Sequence, residues 1–459
     1  MRFGVNHTPS NGWFHSWLDF SPSDTARDLE AIASLGADHV RIFPLWPVVQ
    51  PNRTLIRPSA LEDVATVVDI AGSFGLDVNV DALQGHLSSF DFVPSWLESW
   101  HRRNMFTDPD VVASTAAYVR ALAAAVADRP NLLGITIGNE VNQFAHAPHP
   151  APFATTAEQG HAWAAAMVDA ARAGLGDGRE ARSASVPPAR RPLVTLAQYD
   201  AAWYDDAQPF GPEHAAEHGD ATVTHSWVFN GAARLHGALG AGSVRHGEYL
   251  LQLAAAWNGR ADRPNWLQEV GAPTNVVDVA DAPTFTEQTI RHALDVQELS
   301  GITWWCSHDV SRSLADFPEL EYDLGLLTND GRVKPTGGAV PRDGAGVRRR
   351  PLRRPPPRRR PRSFSTMSPP TGQRCTAPVS TPLPAAGSPP PGSRSPSRTG
   401  VGPRWCCAPD SPTPRCSQPA ASVPASTCPR APRRPRSRSR TRRPCPDRPT
   451  ARPHDRPPD

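Results

Sequence analysis

The sequence predicts a (β/α)8 barrel, the TIM-barrel architecture, followed by a disordered, basic C-terminal tail. Eight short strand-like segments alternate with helical segments over residues 1–340. Polar and aromatic residues gather after the strands, and in a barrel these ends meet on one face. The sequence contains neither G-x-G-x-x-G after the first strand nor G-x-x-x-x-G-K-[ST], so an open sheet that binds dinucleotides or nucleoside triphosphates has no support.

The first repeat of the barrel is visible at the N-terminus. Residues 2–7 and 39–45 are the first two predicted strands. Between them, residues 23–35 carry apolar side chains at helical spacing, with Ser23 or Asp24 as the expected N-cap and Gly36 as the stop.

The alternation continues through the next repeat. A predicted helix at residues 60–74 ends at Gly75 and leads to a third strand at 77–83, in which apolar and polar residues alternate. Residues 108–128 form a clear helix, with Pro109 in its first turn and a face rich in alanine and valine.

The fourth strand and the seventh end in glutamate. The stretch 131–142, NLLGITIGNEVN, begins with a short run rich in β-branched residues that is typical of a buried parallel strand, and it then changes abruptly to Asn139 and Glu140. Residues 264–271, PNWLQEVG, repeat this design and end at Glu269. A carboxylate at the tip of a buried strand is costly unless it is solvated, hydrogen-bonded or used in chemistry. Two of them on one barrel face indicate glycoside hydrolysis, in which two carboxyl groups flank the scissile bond.

The other predicted elements complete the barrel. They are helices at 157–173, 247–257 and 284–299, and strands at 192–198, 222–228, 265–270 and 301–306. The helix after the fifth strand is weak, and no segment after the eighth strand has the pattern of a closing helix. We therefore expect uncovered apolar surface on the first and eighth strands.

Composition divides the chain at about residue 340. Residues 1–340 contain 22 Lys and Arg against 40 Asp and Glu, a net charge of −18, which argues against nucleic acid as a partner. No apolar run is long enough to span a membrane, and the single cysteine of this part, Cys306, implies a fold without disulfides. The N-terminus enters a strand without an apolar leader, so we expect a cytoplasmic protein, or a secreted one if the true start codon lies upstream. We also expect a monomer that needs no cofactor.

The tail, residues 341–459, contains 26 Arg, no Lys and 30 of the 52 prolines, and it lacks Ile, Glu, Asn and Tyr. Such a composition cannot bury a core. One interpretation is a basic segment that binds an acidic partner. We favour an out-of-frame translation of a GC-rich gene, in which the six scattered cysteines of the tail have no role.

The strand-tip motifs carry a family resemblance. Gly138-Asn139-Glu140-Val141 and Gln268-Glu269-Val270-Gly271 resemble the strand-four and strand-seven signatures of glycoside hydrolase clan A, with family 5, which holds cellulases, mannanases and related β-glycosidases, as the most similar. The resemblance covers residues 1–340. It implies retaining hydrolysis of a β-mannoside or β-glucoside in an oligo- or polysaccharide, with Glu140 as acid/base and Glu269 as nucleophile.

The resemblance also implies substrate-binding residues. Asn139 would donate to the sugar 2-hydroxyl, and Arg41, at the end of the second strand, would hold the nucleophile ionised. His225 lies where the family usually has His-x-Tyr, but here the run is His225-Ser226-Trp227, so the tyrosine that contacts the nucleophile is absent and Trp227 would border the sugar instead. On the eighth strand, Trp305-Cys306-x-x-Asp309 resembles the run whose tryptophan stacks on the sugar, while Trp304 should point into packing.

His86, in the long loop after the third strand, is a further candidate at the barrel mouth. Six tryptophans also follow strands and suggest a carbohydrate cleft, since aromatic faces pack against sugar C–H faces. They are Trp13, Trp17, Trp46, Trp96, Trp100 and Trp203.

Two alternatives remain open from the sequence. One is a carbohydrate-binding barrel without catalysis, which would keep the tryptophans but tolerate the loss of either glutamate. The other is a metal-dependent barrel hydrolase in which His7, His86 and His225 converge, although the sequence contains no H-E-x-x-H motif.

Overall fold

The computed structural model describes residues 1–341, except Gly85, Pro148, residues 181–190 and Ala261. The predicted tail, from residue 342 onward, lies outside the described residues. The eight strands of the main sheet are β1 (Arg2–Asn6), β2 (His39–Ile42), β3 (Asp77–Asp81), β4 (Leu132–Ile137), β5 (Leu193–Leu196), β6 (Thr222–Ser226), β7 (Asn265–Val270) and β8 (Leu299–Trp304).

The strands form a near-closed parallel barrel, with β5 and β6 at its seam. Their order is β5-β4-β3-β2-β1-β8-β7-β6, and every pairing in this series is parallel. Asp220 closes the seam between β5 and β6, because its N–H donates to the Val194 carbonyl (2.7 Å) and its carboxylate accepts from the Val194 N–H (2.9 Å). The predicted (β/α)8 fold is confirmed.

Helices follow the first seven strands in turn. They are α1 (Pro22–Ser34), α2 (Pro58–Ser73), α3 (Pro109–Val126), α4 (Ala157–Glu180), α5 (Pro212–Glu217), α6 (His246–Trp257) and α7 (Ala282–Ala293). Shorter helical turns lie in the loops at Trp13–Leu18, Trp46–Val49, Val141–Ala145, Asp200–Trp203, Val228–Asn230, Ala232–His236, Ala241–Val244, Glu319–Asp323 and Pro335–Gly338. Among the described residues, no helix is both long and apolar enough to cross a membrane.

Several helix boundaries differ from the predictions, and the largest extension is in α4, which was predicted to end at residue 173 and ends at Glu180. The N-cap of α1 is Ser21, whose side chain accepts from the Asp24 N–H (3.3 Å), because Pro22 already occupies the first helical turn. The last predicted helix was extended too far: α7 ends at Ala293, and Leu299 instead starts β8 by pairing with Asn265.

The closing region after β8 is short. Within the described residues after β8, helical structure is limited to the turns Glu319–Asp323 and Pro335–Gly338, and the second turn lies beside α7. Nevertheless Phe3 of β1 is 5% exposed and Ile302 and Trp304 of β8 are 0% exposed. The uncovered apolar surface expected on these strands is therefore not found.

Two loops build a wall above the barrel mouth. After β3 the chain makes a hairpin of His86–Leu87 and Phe90–Asp91, and after β8 it makes the turn Glu319–Asp323. The loops share an aromatic cluster in which Phe317 lies 4.8 Å from Phe90 and 4.7 Å from Trp13 between ring centroids. This packing holds both loops over one side of the mouth.

Candidate active site

The two strand-tip glutamates face each other at the mouth of the barrel. Glu140 follows β4 in a left-handed conformation (φ 53°), and Glu269 lies within β7. Gly138 makes the turn that brings Glu140 inward: it has φ 72°, and a Cβ at this position would lie 2.1 Å from Val141 Cγ1. Both glutamates are almost fully buried, at 5% and 3% exposure.

The spacing of the two carboxylates is diagnostic. One oxygen of Glu140, one oxygen of Glu269 and a ring nitrogen of His225 all lie within 4.8 Å of one another. Retaining glycosidases place their two carboxyl groups about 5–5.5 Å apart, whereas inverting enzymes separate them by about 6.5–9.5 Å to admit a water. The geometry is therefore that of a retaining pair.

His225 lies between the two glutamates rather than at the surface of the pocket. Its Nδ1 is 2.7 Å from Glu140 Oε1 and 3.4 Å from Glu269 Oε2. Burial lowers the pKa of His225 to about 4, so the ring is neutral near pH 7. A neutral ring with its proton on Nδ1 donates one hydrogen bond to this pair of carboxylates.

Arg41 organises the floor of the site. The guanidinium is fully buried; it donates to Glu269 Oε1 (2.7 Å) and to Asn139 Oδ1 (2.8 Å), and it pairs with Asp81. Asp81 was missed in the sequence, where it is simply the last polar residue of the alternating third strand. Its position at a strand tip, next to Arg41 of the neighbouring strand, was the available signal.

The environments of the two glutamates differ. Burial raises the pKa of Glu140 to about 7, although hydrogen bonding from Gln143 (2.8 Å) and the charges of His86 and Arg41 oppose this shift. Burial also raises the pKa of Glu269, and the nearby charge of Glu140 adds to it, while His225 and the direct ion pair with Arg41 favour the ionised form. Glu140 thus suits a proton donor near neutral pH, and Glu269 has the cationic partner that a carboxylate nucleophile needs.

A pocket of about 240 Å³ opens above the pair. Six of the predicted site residues line it, namely His86, Asn139, Glu140, Trp227, Glu269 and Trp305. Tyr199, which follows β5, lines it too. The sequence did not point to the other polar or aromatic lining residues Ser88, Ser89, Gln143, Phe229 and Glu321. Arg41 and His225 do not line the pocket; Arg41 contacts Glu269, and His225 contacts both Glu140 and Glu269.

Asp309, which was predicted to bind the sugar, has other contacts in the structure. Its carboxylate pairs with Lys334 Nζ (2.6 Å) and accepts from the Gly325 N–H (2.9 Å), so it joins two segments after β8 and does not line the pocket. At the end of β8, Trp304 is 0% exposed and the next residue, Trp305, lines the pocket, so the two side chains point to opposite sides as predicted.

The six tryptophans expected in a cleft do not line the pocket. Trp13 and Trp46 are buried in apolar clusters, Trp96 packs edge-on against Trp46, and Trp17 stacks on Phe20. Trp203 packs beside α6, and Trp100 is 97% exposed. The loops use most of these rings to pack against each other, and Trp227 and Trp305 provide the indole surface of the pocket instead.

The histidines of the metal-site alternative do not converge. His7 pairs with Asp28 (3.4 Å) and His86 pairs with Asp91 (3.0 Å), and neither joins His225 in a set of possible metal ligands among the described residues. Within the described part of the chain, the one set of His, Cys, Asp and Glu side chains arranged to hold a metal is Glu140, His225 and Glu269. This set contains both members of the carboxylate pair.

A (β/α)8 barrel with two buried glutamates at this spacing on strands four and seven defines a retaining glycoside hydrolase. Comparison with solved structures then gives the family. A GH5_18 enzyme from Streptomyces cattleya, in complex with GlcNAc, is 57% identical, with a TM-score of 0.70 over 74% of this chain and 78% of that chain.

A glutamate-to-alanine variant of the Streptomyces cattleya enzyme, in complex with Manβ1-4GlcNAc, is 56% identical, with a TM-score of 0.71 over 78% of this chain and 82% of that chain. A GH5_18 protein from Bifidobacterium longum subsp. infantis is 46% identical, with a TM-score of 0.69 over 74% and 77% of the two chains. Scans against protein-family models and against curated proteins find no match.

The chain therefore belongs to glycoside hydrolase family 5, with GH5_18 enzymes among its relatives. It is a retaining hydrolase of β-glycosidic bonds that uses two glutamates, which overturns the alternative of a barrel without catalysis.

Proposed function

We propose that this enzyme is an exo-acting β-mannosidase that cleaves the β-1,4 bond of a short oligosaccharide such as Manβ1-4GlcNAc, with Glu140 as acid/base and Glu269 as nucleophile. The proposed substrate rests on the Streptomyces cattleya enzyme that is 56% identical to this chain, because its glutamate-to-alanine variant forms a complex with this disaccharide. The observation that carries the roles is the environment of each glutamate, because Glu269 pairs directly with Arg41 and Glu140 does not.

In the first step, Glu269 Oε2 attacks the anomeric carbon, since Arg41 already occupies Oε1. The bond from this carbon to the glycosidic oxygen breaks, and the proton of Glu140 passes to the departing oxygen. The result is a glycosyl ester on Glu269 and an ionised Glu140.

In the second step, Glu140 takes a proton from water while the water oxygen attacks the same carbon. The ester bond to Glu269 breaks, mannose leaves with its configuration retained, and both glutamates return to their starting states. Burial assists each cycle because it keeps Glu140 protonated close to neutral pH.

The other pocket residues position the sugar. Trp305, and Trp227 beside it (6.5 Å between ring centroids), supply aromatic surface for the terminal sugar. Asn139 and His86 lie on the polar side of the pocket, where the Asn139 amide donates to the His86 carbonyl (2.9 Å) and Arg41 fixes the amide oxygen. A sugar 2-hydroxyl near Asn139 would meet this fixed amide group.

Exo action is supported by the shape of the site. The Ser88 hydroxyl of the β3 hairpin donates to Glu321 Oε2 in the loop after β8 (2.8 Å), so the two loops meet across one side of the mouth. An endo-acting enzyme needs a cleft open at both ends so that a polymer can pass. In this enzyme the two loops close one side of the pocket, as exo action requires.

The test compares 4-nitrophenyl β-D-mannoside, 4-nitrophenyl β-D-glucoside, Manβ1-4GlcNAc and β-mannan. We expect turnover of the mannoside and of the disaccharide, mannose as the first product in the β-anomeric form by NMR, and little release from polymer interiors. Preference for the glucoside, or a rapid fall in mannan viscosity, would contradict the proposal.

A further inference from the structure

A third carboxylate lies in the pocket and has no part in the two-glutamate mechanism. Glu321 lies in the turn Glu319–Asp323 after β8, lines the pocket together with Trp305, and is partly exposed there. It is not one of the strand-tip residues from which the sequence predicted the site. A carboxylate in a small pocket needs hydrogen-bond donors, from the protein or from a ligand.

The described protein supplies only part of these donors. Ser88 Oγ donates to Glu321 Oε2 (2.8 Å), and the Trp305 side chain also hydrogen-bonds the carboxylate. An ionised carboxylate has about four acceptor positions, so about two of them remain open on the side of the pocket. Burial raises the pKa of Glu321 to about 7, which reflects this incomplete solvation by protein donors.

The carboxylate is held in place by packing on both sides of the wall. Ser88 lies at the tip of the β3 hairpin, where it and Ser89 adopt positive φ angles of 49° and 74°. The aromatic contacts of Phe317 with Phe90 and with Tyr322 (5.6 Å between centroids) fix the hairpin and the turn beneath Glu321. A preorganised charged acceptor loses little freedom when a ligand binds.

The position of Glu321 identifies which sugar it would meet. The Trp305 backbone N–H donates to the carbonyl of Val270 (2.8 Å), the residue after Glu269, and Glu269, Trp305 and Glu321 all line the pocket. The sugar bonded to the nucleophile therefore lies between Glu269 and the wall, with its leaving group on the side of Glu140. Hydroxyls that face the wall are those of the non-reducing end.

We propose that Glu321 is a specificity-determining residue that accepts hydrogen bonds from hydroxyls at the non-reducing end of the terminal sugar, in the space left by Ser88 and Trp305. The proposal rests on the exo action proposed above. A carboxylate that accepts two hydroxyls selects a sugar that ends at this point, because a further glycosidic bond there would replace a donor hydroxyl with an ether oxygen.

The experiment compares Glu321→Gln with Glu319→Gln, a matched control in the same turn whose side chain is 78% exposed and pairs with Arg312. Kinetics are measured on whichever aryl β-glycoside the wild type prefers, and on its 4-deoxy and 6-deoxy analogues. We expect Glu321→Gln to raise KM by about ten- to hundredfold with a smaller change in kcat, since a charge-assisted acceptor is lost. Glu319→Gln should match the wild type.

The deoxy analogues separate sugar binding from a structural role. At least one of them should lose about tenfold or more in kcat/KM with the wild type and only a few-fold with Glu321→Gln. Ser88→Ala, which cuts the link between the loops but keeps the carboxylate, should stay within about threefold of the wild-type KM. Any of three results would overturn the assignment. They are an unchanged KM in Glu321→Gln, equal losses in kcat/KM with both deoxy analogues in both proteins, and an effect of Ser88→Ala on KM as large as that of Glu321→Gln.

A failure of the proposed β-mannosidase function would give a different result from a failure of the Glu321 proposal. A wild type that prefers the glucoside refutes the β-mannosidase proposal, while Glu321 is still judged on that glucoside by the same variants.

Discussion

Replacing Gln143 should move the alkaline limb of the pH–rate profile to higher pH. Glu140 must be protonated to act as the acid in the first step, so kcat/KM falls as pH rises through its pKa. That pKa is about 7, raised by burial. At pH 8 about one-tenth of the molecules would keep the proton, and kcat/KM would be about one-tenth of its maximum.

Gln143 is a neutral group that limits this upward shift. Gln143 Nε2 donates to Glu140 Oε2 over 2.8 Å, and this hydrogen bond stabilises the ionised form. Methionine has a similar size but no donor, so Gln143→Met removes the hydrogen bond with little change in volume. A hydrogen bond contributes about 1 kcal/mol and a pKa difference of one unit corresponds to about 1.4 kcal/mol, so the limb should move up by less than about one pH unit.

The assay is kcat/KM for the preferred aryl glycoside between pH 4.5 and 9, at constant ionic strength. Gln297→Met, on the exposed segment after α7, is the matched control and should leave the profile unchanged. An alkaline limb that stays in place, or moves to lower pH, in Gln143→Met would refute the assignment of that limb to Glu140.

Three further predictions follow from the site. Glu269→Ala should abolish turnover of every substrate. Glu140→Ala should keep activity on aryl glycosides with activated leaving groups, and added azide should restore its turnover with net retention. Equal loss on activated and unactivated substrates would show that Glu140 is not the acid/base. Glu140→Gln should stabilise the fold at pH 8 by up to about 3 kcal/mol, and by less at pH 5. The folded-state pKa of Glu140 is about 7 and its unfolded value is 4.5, so the stability that the protonated carboxyl contributes is complete below pH 4.5 and is lost as the pH rises through about 7. Denaturant melts at both pH values measure the difference. Asp309→Asn should lower the unfolding free energy by roughly 1–3 kcal/mol, since it leaves Lys334 without its carboxylate partner, yet leave kcat/KM unchanged; a loss of activity in the folded variant would return Asp309 to the sugar site.

The barrel and its catalytic pair were predictable from sequence because both depend on local pattern. Short apolar runs alternating with helical periodicity define the strands, and the change from Ile137 to Asn139 and Glu140 marks where β4 ends. The parallel barrel then brings all strand ends to one face, so Glu140 and Glu269 meet without further information. Arg41 follows from the same rule, since β2 delivers it to the same mouth.

The wall of the pocket was not predictable, because it depends on contacts between loops that are far apart in the chain. Ser88 and Glu321 are 233 residues apart, and each lies in a segment with no periodic pattern. Asp309 was assigned to the sugar for the opposite reason: its distance in sequence from Trp305 fits the motif, but the path of the loop turns it to Lys334. The loop tryptophans likewise pack between loops, a use that composition does not separate from sugar binding.

His225 shows how the register of the strands positions a side chain between the two carboxylates. The pairing of β6 with β7 shifts by one residue between Thr224 and His225, so His225 lies opposite Glu269. This irregularity brings its Nδ1 within reach of both carboxylates. One N–H cannot satisfy two ionised carboxylates at once, and the mechanism never requires it to. Glu269 carries the negative charge before the first step and Glu140 carries it afterwards, so a single donor placed between them can stabilise each in turn.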